Sequence, residues 1–401
     1  MKLKFLLKDI RFFKWTIPLP VFLWLIIAVI AAIAEVSHGN DHINNYLIFK
    51  QVFWHTVHHQ HLYLHYPSEY IDVNLYGPLF SIVIAPFALL PVYIGCFLWC
   101  MANAAILLYA VKQLPIGRTK QHVVLLIGLL EMVTSIQSTQ FNPMLTGWII
   151  LSYTLVEKEK DFWATLFIVA GLYVKIYGVV GVAFFWFSQH KIKFIISFLF
   201  WMLVLFCLPM MISSPAFVIQ SYEDWYHSLV EKNAKNVSVE ASNAMQDISV
   251  LGMIRRIFNI QDFKNYFVTV PAGLMYILPL LRFRQFKFIG FQLNYLALAL
   301  IGVVIFSSSA ESATYVLAML GVGIWFVTQQ QNKWVIAILI FALLVTSLSP
   351  TDLFPDYLEK NFVRPYSLKA LPCFTVWCAI LYGLLRNNFT ASPAQFSEAN
   401  K

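Results

Sequence analysis

From Trp15 to Ala34 the chain runs 20 residues without a charged side chain. That is the length an α-helix needs to cross the hydrocarbon core of a bilayer. Further apolar segments follow near 92–111, 122–136, 144–156, 162–174, 176–188, 193–212, 266–281, 288–306, 313–328, 333–348 and 370–385. In lipid every backbone polar group has to be satisfied internally, so recurring apolar segments of this kind read as helices. Composition agrees: 59% of the residues are apolar and 12% charged, about half the charged share a soluble domain carries over its surface. The pattern predicts an all-α polytopic membrane protein with about twelve transmembrane helices in a single domain over 1–390, followed by a short tail, 391–401. It excludes a soluble globular domain. The five cysteines are scattered through apolar runs without metal-ligand spacing.

Charge sets the expected sidedness. If the basic N-terminus lies inside, the short basic connections at 112–121, 157–161, 189–193, 282–287 and 329–333 and the tail also lie inside, and with the N-terminus they hold 18 of the 28 Lys and Arg. The long connections at 35–78, 213–265 and 349–369 hold most of the rest of the polar sequence and much of the acid. This is the positive-inside bias, and it places both termini in the cytoplasm and the long loops outside. The net charge of +8 is therefore a topology signal and not a nucleic-acid one. Residues 162–188 decide the parity. Read as one span they bury Lys175 at mid-bilayer, which costs about 3 kcal/mol or more. Read as two short helices they place Lys175 and Tyr177 at an outer tip, and this is the preferred reading.

The candidate residues gather on the outer side. Asp41 follows the first span, where it reads either as the N-cap of a helix from about His42 to Val57 or as a carboxylate able to take a proton from a sugar hydroxyl. Seven of the ten histidines lie between His38 and His65. His55 and His59 have the i, i+4 spacing of half a zinc site, but aromatic interfacial side chains are the preferred reading over a metal. Closely spaced prolines (Pro67, Pro78, Pro86, Pro91) predict broken backbone around 66–91. Gln140 and Asn142 form a turn that either satisfies itself or binds sugar hydroxyls. Lys175 and the pair Arg255-Arg256 are candidates to cradle a lipid phosphate. Glu311 reads as a loop acid or as an acceptor-binding group. Asn236-Val237-Ser238 matches a glycosylation sequon, a pattern short enough to arise by chance.

Taken in order, these stretches resemble a known family. An acid after the first span is followed by Tyr76-Gly77-Pro78-Leu79-Phe80, then Ala85-Pro86-Phe87-Ala88-Leu89-Leu90-Pro91 and Thr139-Gln140-Phe141-Asn142. Lys175-Ile176-Tyr177-Gly178 and Asp247-Ile248-Ser249-Val250-Leu251-Gly252-Met253-Ile254-Arg255-Arg256 complete the set. The order resembles the GT-C superfamily of membrane glycosyltransferases, and most closely glycosyltransferase family 87, which includes polyprenol-phosphate-mannose-dependent α-mannosyltransferases. The sequence departs from the family pattern at Thr139, where family members carry Gly, and at Gly178, where they carry Pro.

The resemblance implies an enzyme with an extracytoplasmic active site, a polyprenyl-phosphate sugar donor and inversion at the anomeric carbon. It gives Asp41 the role of general base and Lys175, Arg255 and Arg256 the donor phosphate. Tyr76, Gln140, Asn142, Tyr177 and Glu311 become substrate-binding candidates. The expected partners are a lipid-linked sugar, a lipid-linked glycan or glycolipid acceptor and membrane lipid, with no nucleic acid, no cofactor and no metal site. A multi-pass lipid or glycan transporter is the rival reading, since twelve spans suit it equally well.

Overall fold

The computed structural model describes residues 9–12, 15–237, 246–260 and 263–390. It opens with a small antiparallel hairpin, β1 (Asp9–Phe12) and β2 (Trp15–Pro18), in register from Asp9 opposite Pro18 to Phe12 opposite Trp15. The first apolar run thus begins as a strand, and its helix α1 (Leu19–Ser37) starts four residues later than the hydropathy suggests. Two prolines explain the delay. Pro18 pushes Ile17 out of the helical region, whereas Pro20 suits a first helical turn, where its missing N–H costs nothing.

Beyond α1 the chain is helical throughout its apolar segments. The helices are α2 (Asn44–Val57), α3 (Phe80–Ala88), α4 (Val92–Gln113), α5 (Arg118–Gln137), α6 (Asn142–Glu157) and α7 (Asp161–Val174), then a 3-10 helix (Ile176–Phe187). Next come α8 (Lys191–Cys207), α9 (Pro215–Val237), α10 (Val250–Phe258), α11 (Tyr266–Ile277), α12 (Ile289–Ile305), α13 (Tyr315–Thr328) and α14 (Lys333–Phe341). The one-turn α15 (Asp356–Leu358) precedes α16 (Ala370–Arg386). Among the described residues four helices are long and apolar enough to cross a membrane by themselves: Leu19–Ser37, Val92–Gln113, Arg118–Gln137 and Lys191–Met211. The others are shorter. At 17 residues α12 rises about 26 Å, just under the roughly 30 Å hydrocarbon core. The chain is an α-helical membrane protein.

The helices group into two compact units, each assembled from separate stretches. One takes the described residues up to Trp24, Val111–Thr134 and those from Asn233 onward; the other takes Leu25–Ala110 and Ser135–Lys232. In the first unit α12 is buried on nearly every face and α13 lies against it. Gly321 makes the approach possible, because a Cβ there would stand 3.0 Å from the Ala297 carbonyl oxygen. In the second unit α6 has the same all-round burial. Beside it Phe49, Phe80, Trp99 and Phe141 form an aromatic core, with Phe49 and Phe80 edge to face at 4.9 Å and Trp99 stacked on Phe141 at 6.1 Å.

The proline-rich stretch after α2 is broken as expected. Helix α3 has only nine residues and contains Pro86. The carbonyls that its end leaves open are taken by α2: Lys50 Nζ donates to the oxygens of Ala88 (2.5 Å) and Leu90 (2.7 Å), and Tyr46 Oη donates to that of Phe87 (2.9 Å). One expectation for α2 is corrected. Its N-cap is Ile43, with no side-chain cap, so Asp41 does not cap it. Gly39 turns the chain at φ +90° after α1, and the loop reaches the N-cap of α2, Ile43, two residues past Asp41.

Candidate functional site

The break at Lys175 organises the second unit. Helix α7 stops at Val174, Lys175 is extended (φ −150°, ψ 119°), and the 3-10 helix returns alongside α7. Two glycines permit the hairpin. A Cβ on Gly171 would stand 3.0 Å from Gly178 Cα, and one on Gly181 would stand 2.9 Å from Ile168 Cγ1. Gly178 replaces the proline of the family pattern at a point where a side chain would collide with the backbone of Gly171.

The half-buried Lys175 projects onto residues that lie far away in sequence. Its Nζ donates to Asn142 Oδ1 at 2.8 Å and sits 5.5 Å from the ring centroid of Tyr76 and 5.0 Å from that of Tyr177. Tyr76 Oη donates in turn to Gln140 Oε1 at 2.8 Å. Five predicted site residues, Tyr76, Gln140, Asn142, Lys175 and Tyr177, thus form one constellation. A cation held between two aromatic faces and an amide oxygen is fixed in place and can meet a further anion.

Residues that the sequence did not single out hold Tyr76. Asn74, fully buried, accepts from the Tyr76 N–H (2.9 Å) and donates to its carbonyl (3.1 Å), and Tyr63 Oη donates to the same carbonyl (3.1 Å). Trp225 of α9 donates from its indole to Leu75 O (2.9 Å), and its ring would stand 2.9 Å from a Cβ at Gly77. The Gly77 in Tyr76-Gly77-Pro78 therefore leaves room for the Tyr173 carbonyl and for the ring of a tryptophan far along the chain.

Thr139 shows why its position favours glycine. Its φ is +48°, in the left-handed region, and its buried hydroxyl has no partner among the described residues. Thr139→Gly is expected to stabilise the protein by about 1 kcal/mol, read as a higher Tm, with Gln140 and Asn142 unmoved. An unchanged or lowered Tm counts against strain at this turn.

The histidines make polar contacts within the fold. His55 Nε2 lies 2.8 Å from Glu69 Oε2, His61 Nε2 3.2 Å from Asp224 Oδ2, and His42 Nδ1 3.5 Å from Glu35 Oε2, while His59 Nε2 accepts from Ser214 N at 3.2 Å. Among the described residues no three His, Cys, Asp or Glu converge as a metal site needs. Burial lowers the pKa of His55 below its ordinary 6.5, with Glu69 opposing. The unfolded segment then binds the proton more readily than the folded one, so stability is lost as pH falls from 6.5 through the folded value. Amide protection in 44–57, measured against the intrinsic exchange rate at each pH, should fall between pH 7 and pH 5, and His55→Gln should flatten that dependence.

In the first unit, the stretch from Asp247 to Arg256 is built around a buried ion pair. Asp247 sits at φ +53°, and its carboxylate accepts from Ser249 Oγ (2.6 Å) and from Arg255 Nη1. Ser249 caps α10 by accepting from Gly252 N at 3.1 Å, and Gly252 leaves space for the Asp247 carbonyl. Arg255 donates further to Phe263 O and Asn265 Oδ1, which occupies its guanidinium from within. Burial raises the Asp247 pKa, and its contacts with Ser249, Arg255 and Arg256 oppose the rise. Of the two arginines, Arg256 is the one that lines an open cleft, donating to Ser367 Oγ and Gln246 O (2.6 Å) at its wall. Glu311 is half-buried at the head of the 3-10 turn Ser312–Thr314, where its N–H donates to Thr314 Oγ1 at 3.3 Å.

Asp41 and the sequon complete the predicted set. Asp41 is exposed in the turn between α1 and α2, and its carboxylate makes no hydrogen bond or ion pair with the described residues. Asn236 is buried, with Nδ2 donating to Ser308 O (3.0 Å) and Ser309 Oγ (3.3 Å), so no glycan can be attached to it in this fold. Ser238 lies outside the described residues.

Compared with family models, the chain matches glycosyltransferase family 87 over residues 74–347, well over half its length. It belongs to that family. Membership makes it a glycosyltransferase of the membrane. The matched segment contains Tyr76, Gln140, Asn142, Lys175, Tyr177, Arg255, Arg256 and Glu311, and Asp41 precedes it. No curated protein matches the chain.

Proposed function

We propose that this glycosyltransferase moves a sugar, a hexose such as mannose or a pentose, from a polyprenyl-phosphate donor to a hydroxyl of a lipid-linked glycan or glycolipid. The reaction takes place at the extracytoplasmic face, in a chain that crosses the bilayer about twelve times with both termini inside. The observation that carries the reading is the Lys175 constellation: a cation at the end of a broken apolar helix, held by Asn142 between Tyr76 and Tyr177.

The chemistry follows from those side chains. As the sugar leaves phosphate, positive charge develops at the anomeric carbon and negative charge on the phosphate. Lys175 stabilises the departing phosphate. Tyr76, Tyr177, Gln140 and Asn142 present aromatic faces and amides to sugar hydroxyls. Asp41 takes the proton of the attacking hydroxyl, which enters opposite the departing phosphate and so inverts the anomeric centre.

The test uses the full chain in vesicles with a radiolabelled polyprenyl-phosphate sugar and a lipid extract as acceptor. Label should move onto the acceptor with inverted configuration, and a nucleotide sugar should not replace the lipid donor. Translocation of intact donor across the vesicle without a new glycosidic bond would make the protein a transporter instead.

A further inference from the structure

We infer that the basic end of α11 and α16, in the first unit, binds an anionic phospholipid, with the phosphate held by Arg284, Lys287 and Arg386 and the acyl chains laid along α11. Helix α11 turns most of its surface outward, and Ala272 is its one buried residue. Phe267, Val270, Leu274, Ile277 and Leu281 are each more than half exposed. Their spacing of three and four residues makes a single stripe along α11 and the 3-10 turn that continues it, Leu278–Leu281. In a membrane protein, an apolar stripe of this kind meets hydrocarbon.

The stripe ends at Arg282-Phe283-Arg284. Helix α16 shows the same order, with exposed Tyr382 followed one turn later by exposed Arg386. An apolar face that gives way to an aromatic ring and then to cations marks the depth of the lipid head groups. The two basic stretches also form one surface. Arg282 donates to the oxygens of Leu384 (2.6 Å) and Asn387 (2.9 Å) and to Asn388 Oδ1 (2.8 Å), and Phe389 N donates to Gln285 Oε1 (2.9 Å).

Those bonds commit the charge of Arg282 to the carbonyls at the end of α16, where the helix dipole is negative. They leave three cations over. Arg284, Lys287 and Arg386 are exposed and make no hydrogen bond or ion pair with the described residues, and Lys287 Nζ rests 5.1 Å from the Phe288 ring. Neither 263–310 nor 360–390 contains an Asp or Glu, so no neighbouring carboxylate neutralises them. A soluble polyanion would match these charges but leave the α11 stripe in water. A neutral lipid would cover the stripe but leave the charges unmatched. An anionic phospholipid satisfies both.

The purified full chain in mild detergent is titrated with phosphatidylglycerol, with phosphatidylcholine of the same acyl chains, and with glycerol 3-phosphate, and bound molecules are counted by native mass spectrometry. Wild type should hold phosphatidylglycerol about tenfold more tightly than phosphatidylcholine and should not retain glycerol 3-phosphate. Arg284→Ala, Lys287→Ala and Arg386→Ala should each weaken phosphatidylglycerol about fivefold, the effect of one basic side chain at an anionic surface, with phosphatidylcholine unchanged. Lys193→Ala removes an exposed cation from a basic connection of the other unit and should bind as wild type. The three positions are exposed and are replaced one at a time, so loss of the fold in one, seen in its melting curve, leaves the others as the test. Wild-type affinity in the folded variants, an equal loss in Lys193→Ala, or equal binding of phosphatidylcholine overturns the inference. Retention of glycerol 3-phosphate as tight as that of the lipid makes the ligand a soluble one and overturns it as well. Because no transfer is measured, the result stands apart from the glycosyl-transfer assay.

Discussion

Lys175→Ala is expected to lower turnover with a polyprenyl-phosphate sugar by about 10²–10³-fold, the effect of removing one preorganised group that meets charge developing in the transition state. The ammonium is positioned before any ligand arrives, because Asn142 Oδ1 holds it at 2.8 Å and two aromatic rings flank it. A half-buried, apolar surround makes such a charge worth more than it is in water. The fold should survive the change. The hairpin is set by the Gly171–Gly178 contact and by the backbone bond from Gly77 N to Val174 O at 3.1 Å, neither of which needs the lysine side chain. Lys175→Arg should recover part of the rate, since it restores the charge with a larger, planar group. The measurement is kcat and KM for the donor beside a melting curve. Turnover within threefold of wild type in Lys175→Ala, with the fold intact, removes the phosphate role.

The position of Lys175 could be read in advance because an ionisable group inside an apolar segment carries a large penalty, and that penalty forces a break. The prolines after α2 were legible for a similar local reason. What the sequence concealed is long-range partnership. Nothing near Trp225 says that its ring fills the space at Gly77, and nothing near Arg255 says that Asp247 rather than a ligand receives it. The spacing of His55 and His59 left half a zinc site as the lesser reading, and each turns to a different neighbour that the spacing does not reveal, Glu69 and the Ser214 N–H. Asn236 reads as a sequon only while its burial against Ser308 is unknown. The exact start of α1 escaped hydropathy because Trp15–Pro18 is apolar in a strand as well as in a helix.

Asp41→Asn is expected to reduce transfer by at least 10²-fold, the lower bound of what a general base contributes, with donor binding and melting temperature unchanged. Sequence alone left a competing role for this residue as the cap of α2, and an Asn would cap as well as an Asp. The fold removes that role: α2 is capped at Ile43 without a side-chain bond, and the Asp41 carboxylate is exposed and uncommitted among the described residues. A substitution that changes one oxygen to an amide at such a site has no packing to disturb and no hydrogen bond to break, so a loss of rate can be assigned to lost basicity. Transfer within threefold of wild type would move the base elsewhere. Asp72 is then the next carboxylate to replace, in the same 35–78 stretch, with Oδ1 accepting from Val73 N at 2.8 Å, and Glu311 follows at its capped turn.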